Sequence, residues 1–285
     1  MSLLVFGKTG QVAREIARRA PHATFLGRSA ADLTDPDACA RIIAGSRAKM
    51  IINAAAYTAV DAAETDEDTA QIVNAAAPTA MARAAADIGA AFVQLSTDYV
   101  FDGRGHAPFA PDAPVAPLGA YGRSKAAGEA GVRAAGGAAV ILRTSWVFSL
   151  HGTNFVRTML RLSSVRKTVP VVADQFGGPT PAGDIADAVL KIASQLAKRP
   201  KLAGTYHFSG APDASWAEFA REIFTQAGND TFVQEIATAE WPTPARRPAN
   251  SRLDCHSTFD TFGIARPDWR AGLAQVLTQM GPRNR

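Results

Sequence analysis

Short apolar runs alternate with alanine-rich, helix-prone segments through the first half of the chain. The runs are residues 2–6, 23–26, 49–55, 90–96 and 138–145, and helix candidates between them include 10–19, 78–88 and 121–135. The runs are continuous rather than alternating, which is typical of parallel strands whose two faces are both covered by helices. This alternation predicts an α/β fold built on a doubly wound parallel sheet.

The regular alternation of strand and helix patterns becomes less clear after Trp146. Residues 153–164 and 183–197 have helical character, 204–210 include a short strand, and 215–228 predict an amphipathic helix. Ser215, followed three residues later by Glu218, has the pattern of a capping box at the start of that last helix. We therefore expect residues 1–146 to form the main domain. Residues 147–285 would form mainly a smaller C-terminal α/β lobe, with some segments returning to the main sheet.

Composition narrows the class of protein. With 285 residues, 47% hydrophobic and 20% charged, the chain has the profile of an ordinary soluble globular protein of one or two domains. No apolar run is long enough to cross a bilayer, and the start lacks the basic region of a signal peptide. Cys39 and Cys255 are far apart and fit neither a zinc spacing nor a disulfide framework. We expect a cytoplasmic protein, and the sequence assigns no role to either cysteine.

The charge distribution favours a small anionic ligand over nucleic acid or a membrane surface. The net charge is +4, and residues 244–252 form a local basic cluster. No basic stripe interleaved with aromatic residues accompanies it, as nucleic-acid binding would require. Arg246, Arg247 and Arg252 of the cluster are candidates for charge-assisted hydrogen bonds to a diphosphate. Exposed arginines that serve only solubility are the alternative.

A glycine-containing turn follows the first predicted strand. Gly7, Thr9 and Gly10 lead into Gln11 and Val12 at the start of a helix candidate. Glycines there allow a tight turn and a close approach of the backbone to a pyrophosphate, and the helix N-terminus supplies N–H donors. In this position the turn predicts the phosphate loop of a Rossmann-type dinucleotide-binding domain.

The residues after the second strand bear on the choice of cofactor. An acidic residue there usually grips the ribose 2′-hydroxyl of NADH. This chain has Gly27 and Arg28 instead. A guanidinium suits a 2′-phosphate, and no carboxylate is expected to repel that group. The pattern favours NADPH, with NADH as the alternative.

Tyr121 and Lys125 are four residues apart in a helix candidate, so both side chains leave the same face. An ammonium one turn from a phenol favours the phenolate and should lower the pKa of the phenol. Tyr121 could then act as the general acid for a carbonyl that is being reduced, while Lys125 hydrogen-bonds the nicotinamide ribose. An idle surface pair is the alternative.

Polar residues end the fourth predicted strand, at the sheet edge where doubly wound folds bind ligands. Ser96 or Thr97 can donate a hydrogen bond to the same carbonyl oxygen, and Asp98 can accept one from a substrate hydroxyl. A strand-end turn capped by its own side chains is the alternative.

These motifs together resemble the extended short-chain dehydrogenase/reductase family. The segments that carry the resemblance are GKTGQV, INAAAYTAVDAAE, STDYVFDG, YGRSK, RTSWVF and RPANSRLD. Within the family they are similar to the branch that finishes dTDP-L-rhamnose synthesis. This implies NADPH-dependent reduction of the C4 ketone of dTDP-4-dehydro-6-deoxy-L-mannose.

The resemblance also implies roles for individual residues. The catalytic triad would be Thr97, Tyr121 and Lys125, and substrate contacts would come from Thr97, Asp98, Trp146 and Arg247. Besides Tyr121 and Lys125, the cofactor would contact Gly7, Thr9, Gly10, Gln11, Val12, Arg28, Asp32, Leu33, Ala54, Ala55, Ala56, Tyr57 and Thr58.

The chain departs from the family pattern at the residues that bind a metal ion in some members. Some members dimerise around Mg²⁺ held by glutamates, one after a Pro-Thr turn and others in the last helix. Gly183 stands at about the first place with Asp184 next to it, and residues 269–285 contain no acidic residue. A hard cation needs oxygen ligands, so we expect no metal, and either a monomer or a dimer that no metal bridges.

Two other functions remain open from the sequence. Dehydratases and epimerases of nucleotide sugars are the nearest enzymes, but dehydratases place a second carboxylate where this chain has Tyr99. A regulatory subunit that binds NADP without catalysis would share the fold. Turnover of a 4-ketosugar nucleotide separates these cases.

Overall fold

The computed structural model describes residues 2–281. The strands within this range are β1 (Leu3–Phe6), β2 (Thr24–Leu26), β3 (Met50–Asn53), β4 (Ala91–Thr97), β5 (Ala139–Thr144), β6 (Val147–Phe148), β7 (Thr168–Val172), β8 (Phe176–Gly177), β9 (Thr180–Pro181), β10 (Gly204–His207), β11 (Ala214–Ser215), β12 (Phe232–Ile236) and β13 (Asn250–Ser251). The helices are α1 (Gln11–Arg19), α2 (Pro36–Ala44), α3 (Glu67–Gln71), α4 (Ala77–Asp87), α5 (Ala120–Ala135), α6 (Phe155–Ser163), α7 (Ala182–Lys198), α8 (Trp216–Gln226), α9 (His256–Phe262) and α10 (Trp269–Met280).

The main sheet has six parallel strands in the order β10-β5-β4-β3-β1-β2. From β1 the chain crosses to β2 on one side, and from β2 it returns to β3 on the other side of β1, so the strand order reverses between β1 and β3. Ligands bind outside the carboxyl ends of the strands at such a point. The predicted doubly wound α/β fold is confirmed, and each of the five predicted strands lies within two residues of its expected bounds.

Helices cover both faces of this sheet, which explains the continuous apolar runs of its strands. On one face α1 packs against α7, and their core includes Ile16 and Val189. On the other face α2, α4 and α5 follow one another, with Ile43 and Met81 in the core. Segments from the second half of the chain thus return to the main sheet, since both α7 and β10 belong to it.

The remaining elements of the second half surround a core of their own. Several aromatic side chains contribute to it, among them Phe148, Phe219 and Trp269. Small sheets bound it, with β8 between β11 and β13 and with β7 paired to β12. The predicted capping box is present at α8, where Ser215 Oγ accepts from Glu218 N at 3.1 Å and Ser215 N donates to the Glu218 carboxylate at 2.6 Å. A domain boundary at residue 146 stays a prediction.

One helix of the main domain changes its pitch. Between α3 and α4 the chain stays helical but forms a π-helical turn over Ile72–Ala76. Such turns accommodate one extra residue and are frequent at functional sites. This turn carries the buried side chain of Asn74.

No helix in the described range combines the length and the apolar character needed to cross a membrane.

Candidate active site

The loop between β1 and α1 has the shape of a phosphate cradle. Gly7 has a φ of +109°, and a Cβ atom there would lie 3.2 Å from the carbonyl carbon of Ala54. Gly10 precedes α1 as its N-cap, and no side chain caps the amides of the first turn. Backbone N–H groups at a helix N-terminus attract phosphate oxygens. These residues therefore fit the pyrophosphate of a dinucleotide.

Two predicted cofactor residues at the start of α1 have structural contacts as well. Gln11 Oε1 accepts hydrogen bonds from Ser149 Oγ at 2.7 Å and from Asn154 Nδ2 at 3.0 Å. The Val12 side chain is buried in the core beneath the loop. Gln11 thus ties the phosphate loop to residues 149–154, and Val12 can offer a ligand only its backbone.

Arg28 and Asp32 form an ion pair beyond the end of β2. Arg28 Nε lies 3.2 Å from Asp32 Oδ2, and the Arg28 side chain is 81% exposed. Hydrogen bonds from Thr34 and then from Arg28 lower the pKa of Asp32. The expectation that no carboxylate faces Arg28 is therefore wrong, because the chain curls Asp32 back one turn later. Leu33, next to it, has a buried side chain.

Asn74 holds the loop that follows β3, which includes the predicted cofactor residues 54–58. Its Oδ1 accepts from Tyr57 N at 2.9 Å, and its Nδ2 donates to Tyr57 O at 3.0 Å. The same Nδ2 is 3.0 Å from Ser124 Oγ in α5. A single amide therefore connects the cofactor loop to the helix of Tyr121 and Lys125. The sequence reading missed Asn74, and its isolated position among alanines was the only signal.

Tyr121 lies at the carboxyl end of β4, as predicted. Its phenol lies beside the Thr97 hydroxyl, and its ring meets the Tyr99 ring edge-on with 5.5 Å between centroids. Burial raises the pKa of Tyr121 well above its ordinary value, and the negative charge of Asp98 raises it further. The nearby Thr97 hydroxyl opposes this rise only in part.

Lys125 is buried one turn further along α5. Its Nζ donates to the carbonyl oxygen of Leu95 at 2.8 Å. Burial lowers the pKa of Lys125 to about 8, and the nearby Glu129 opposes that shift. The pKa of Tyr121, one turn away, is raised and not lowered. The expectation that this ammonium lowers the pKa of the phenol is therefore wrong for the structure described, where burial dominates.

Asp98 presents a carboxylate oxygen that is free to accept. Its Oδ1 accepts from Thr97 Oγ1 at 3.1 Å, whereas its buried Oδ2 has no partner within the described chain. Burial raises the pKa of Asp98 to about 6, although Ser251 and Thr97 favour the charged form. The Ser251 hydroxyl is close enough to favour the charged form, but it does not make a hydrogen bond to Oδ2. A buried acceptor without a donor is expected where a ligand hydroxyl completes the site.

Of the three candidate arginines, only Arg247 reaches this region. Its Nη2 lies 2.7 Å from Asp61 Oδ2, its side chain contacts the Tyr99 hydroxyl, and its buried Nη1 lacks a partner among residues 2–281. Arg246 is exposed. Arg252 lies over the Phe176 ring and 3.6 Å from Asp213.

Trp146 stands at the junction of the main sheet and the second half of the chain. It is half-buried with a φ of +49°, and its ring stacks on Trp216 with 3.5 Å between centroids. Trp216 Nε1 donates to Gln175 Oε1 at 3.2 Å. The two indoles form an aromatic wall near the site. Trp216 was not singled out from the sequence, where its position in an amphipathic helix indicated only core.

The surroundings of Gly183 do not fit a divalent cation. A side chain at Gly183 would meet Arg19, whose guanidinium lies 2.8 Å from the Cβ position. Arg19 pairs with Glu15 at 2.6 Å and with Asp187 at 2.7 Å. Residues 2–281 contain no group of three or more His, Cys, Asp or Glu side chains arranged to hold a metal.

Two surface depressions lie away from these residues, at the β5–β10 edge. Their volumes are about 400 and 230 Å³, and Arg133 and Thr205 line both. Neither contains a predicted site residue, so the chemistry is not located there.

The comparisons of this chain with known proteins agree on one family. The model of the family described as RmlD substrate binding domain matches residues 1–281. A dTDP-4-dehydrorhamnose reductase of Sinorhizobium fredii (strain NBRC 101917 / NGR234) is 44% identical, with 97% of each chain covered.

Solved structures agree with this match. A dTDP-4-dehydrorhamnose reductase of Clostridium acetobutylicum superposes with a TM-score of 0.92 at 35% identity, over 98% of this chain and 99% of that one. One from Bacillus anthracis str. Ames, crystallised in complex with NADP, gives 0.90 at 33% identity over 98% and 100%. The chain belongs to the dTDP-4-dehydrorhamnose reductase family.

Proposed function

We propose that this chain reduces the C4 ketone of dTDP-4-dehydro-6-deoxy-L-mannose to give dTDP-L-rhamnose, with NADPH as the reductant. The observation that carries the proposal is the placement of the buried Tyr121 beside Thr97 at the end of β4, with Lys125 buried one turn away. The carboxyl ends of β1 and β4, which carry the glycine loop and this group, lie at the same edge of the parallel sheet. The family membership supplies the substrate class.

In this mechanism, the nicotinamide ring supplies a hydride to the ketone carbon when the cofactor is bound. Tyr121 donates a hydrogen bond to the ketone oxygen and gives up its proton as that oxygen becomes an alkoxide. The raised pKa of Tyr121 keeps the phenol protonated until then. When the substrate binds, the Thr97 hydroxyl turns its single proton from Asp98 Oδ1 to the same oxygen, so the developing charge has two donors.

Asp98, Arg247 and Trp146 would recognise the substrate. Asp98 Oδ2 accepts from a sugar hydroxyl, and Arg247 Nη1 donates to an oxygen of the sugar or diphosphate, because each atom is buried and lacks a partner in the described part of the protein. Trp146, supported by Trp216, offers a flat apolar face to the sugar or the base.

The preference for NADPH rests on Arg28. Its exposed guanidinium can bind a 2′-phosphate, but Asp32 competes for the same Nε. We propose that a 2′-phosphate displaces the carboxylate, and that Asp32 also allows slower use of NADH through the 2′-hydroxyl. The remaining cofactor contacts come from the glycine loop and from residues 54–58.

We also propose a cytoplasmic enzyme that works as a monomer or as a dimer without a bridging metal. Cys39 and Cys255 are both free and buried, which suits a reducing compartment. The guanidinium of Arg19 supports the absence of a metal at Gly183.

The test is to incubate the purified protein with NADPH and the ketosugar nucleotide, and to identify the product by NMR and mass spectrometry. Oxidation of NADPH with formation of dTDP-L-rhamnose supports the proposal. Binding of NADPH without turnover of this or other 4-ketosugar nucleotides would indicate a regulatory subunit instead. Turnover of a different 4-ketosugar would retain the chemistry and change the substrate.

A further inference from the structure

Glu129 is a buried carboxylate that the mechanism above does not use. It follows Tyr121 and Lys125 at the same spacing of four residues on α5, and its side chain is 1% exposed. Ser96 Oγ donates to its Oε1 at 2.6 Å. Arg143 donates twice, from Nε to Oε1 at 2.8 Å and from Nη2 to Oε2 at 2.6 Å.

These bonds join three elements directly below the catalytic group. Ser96 precedes Thr97 on β4, and Arg143 is its neighbour in register on β5. Arg143 also donates to Pro111 O at 3.0 Å. The carboxylate of Glu129 therefore fixes α5 to β4 at Ser96. The next residue of that strand, Thr97, lies beside the Tyr121 phenol.

Glu129 is also the charge that acts on Lys125. The other charged groups on elements that pack against α5 are engaged elsewhere or exposed. Asp98 and Tyr99 act on Tyr121, and Glu64 accepts from Ala120 N. Glu67 of α3 pairs with Arg123 on the outer face, Asp66 and Tyr57 bond each other, and Asp68, Arg83 and Asp87 are exposed. Arg133 and Arg143 bind the carboxylate of Glu129 itself, and His207 lies behind Arg143.

We propose that Glu129 is a positioning residue for the reduction, which seats the catalytic helix against β4 and keeps the Lys125 amine charged. The inference rests on the proposed function. Burial by itself would raise the pKa of Glu129, but the bonds from Arg143 and Ser96 outweigh it and lower that pKa. The group is therefore a carboxylate at neutral pH, and its charge opposes the burial that lowers the pKa of Lys125 to about 8.

The first variant is Glu129→Gln, which keeps the size of the side chain and removes its charge. An opposite charge near a titrating group shifts its pKa by about 1 or more. The pH profile of kcat/KM should therefore lose activity at a pH about one unit lower than in the wild type, since Lys125 loses its proton earlier. Glu67→Gln, which removes an exposed carboxylate beside the same helix, is the matched control and should leave the profile unchanged.

Glu129→Gln leaves Arg143 buried without its partner, and the variant could unfold for that reason alone. The double variant Glu129→Gln, Arg143→Met removes both charges and leaves no unpaired buried ion. It therefore allows the proposal to be tested even if the single variant does not fold. Loss of the Arg143 cation favours the charged amine, so the folded double variant should shift the profile to acid by less than Glu129→Gln does. A Glu129→Gln variant that is folded and has the wild-type profile overturns the charge part of the proposal.

A second readout does not need turnover. The lysine ammonium can be titrated directly by NMR of protein labelled with ¹³C at lysine Cε, with the Lys125 signal assigned through Lys125→Arg. A lower titration midpoint in the Glu129 variants supports the proposal, and an unchanged midpoint overturns it. If the wild type fails to reduce the ketosugar, the proposed function fails, while this titration still decides the role of Glu129.

Discussion

Replacement of Asp98 by asparagine should make the protein more stable, and more so as the pH rises. The folded protein raises the pKa of Asp98 from 3.8 to about 6 because the carboxylate is buried. A folded-state pKa above the unfolded one means that the folded protein holds this proton more tightly. The stabilising effect of this bound proton is complete below pH 4 and is lost as the pH rises through about 6.

The magnitude follows from the shift. A change of just over two pH units corresponds to a free energy of about 3 kcal/mol once Asp98 is fully ionised. At pH 5 the ionisation already costs about 1.5 kcal/mol, because the unfolded chain has released the proton by then. Asp98→Asn abolishes this cost, so its advantage over the wild type should grow by about 1.5 kcal/mol between pH 5 and pH 8. Any fixed penalty of the amide cancels in that comparison.

The assay is urea unfolding of both proteins, followed by circular dichroism, at several pH values from 5 to 8. Asp32→Asn is the control. The pKa of Asp32 is lowered by Thr34 and Arg28, so its contribution is already complete above pH 5 and the comparison should be flat. A flat comparison for Asp98→Asn as well would refute the reasoning, since it would mean that the carboxylate is solvated in the folded protein.

Three further substitutions test other parts of the site. Tyr121→Phe should lower kcat by about 10² to 10⁴-fold, because the general acid is lost, and should leave the Kd of NADPH measured by fluorescence nearly unchanged; a kcat equal to that of the wild type would exclude Tyr121 as the acid. Arg28→Ala should raise KM for NADPH by about tenfold without raising KM for NADH, since only the 2′-phosphate uses the guanidinium; an equal effect on both cofactors would contradict that role. Gly128→Ala should destabilise the protein by about 1 to 3 kcal/mol in urea unfolding, because its Cβ would overlap the carbonyl oxygen of Asn74; a gain of about 1 kcal/mol, usual for this change in a helix, would show that α5 can move away.

Local patterns were sufficient to predict the main sheet. Continuous apolar runs mark strands that are buried on both faces, and this relation depends only on neighbouring residues. The spacing of Tyr121 and Lys125 likewise predicted that both side chains leave the same face of α5, and the structure shows that this face is buried, which the spacing alone left open.

Features that depend on distant residues could not be read in this way. The raised pKa of Tyr121 results from burial and from Asp98, which no helical spacing reports. The pairing of Arg28 with Asp32 depends on how the loop after β2 turns. The anchoring of Arg247 by Asp61 joins residues that are 186 positions apart. Sequence patterns pointed to the end of β4 and to the pair Tyr121 and Lys125, whereas the part played by Asn74 and the electrostatics of the site required the fold.

The π-helical turn at Ile72–Ala76 has a consequence for how this protein tolerates changes in length. Each residue of a regular helix advances the chain by about 100°, so deletion of one residue between Glu67 and Asn74 would swing the amide of Asn74 away from Tyr57 and Ser124. Every side chain that contacts a ligand would still be present after such a deletion. The alignment of the cofactor loop with the catalytic helix therefore depends on the number of residues in this segment. A substitution scan would not detect that dependence, whereas a deletion scan would.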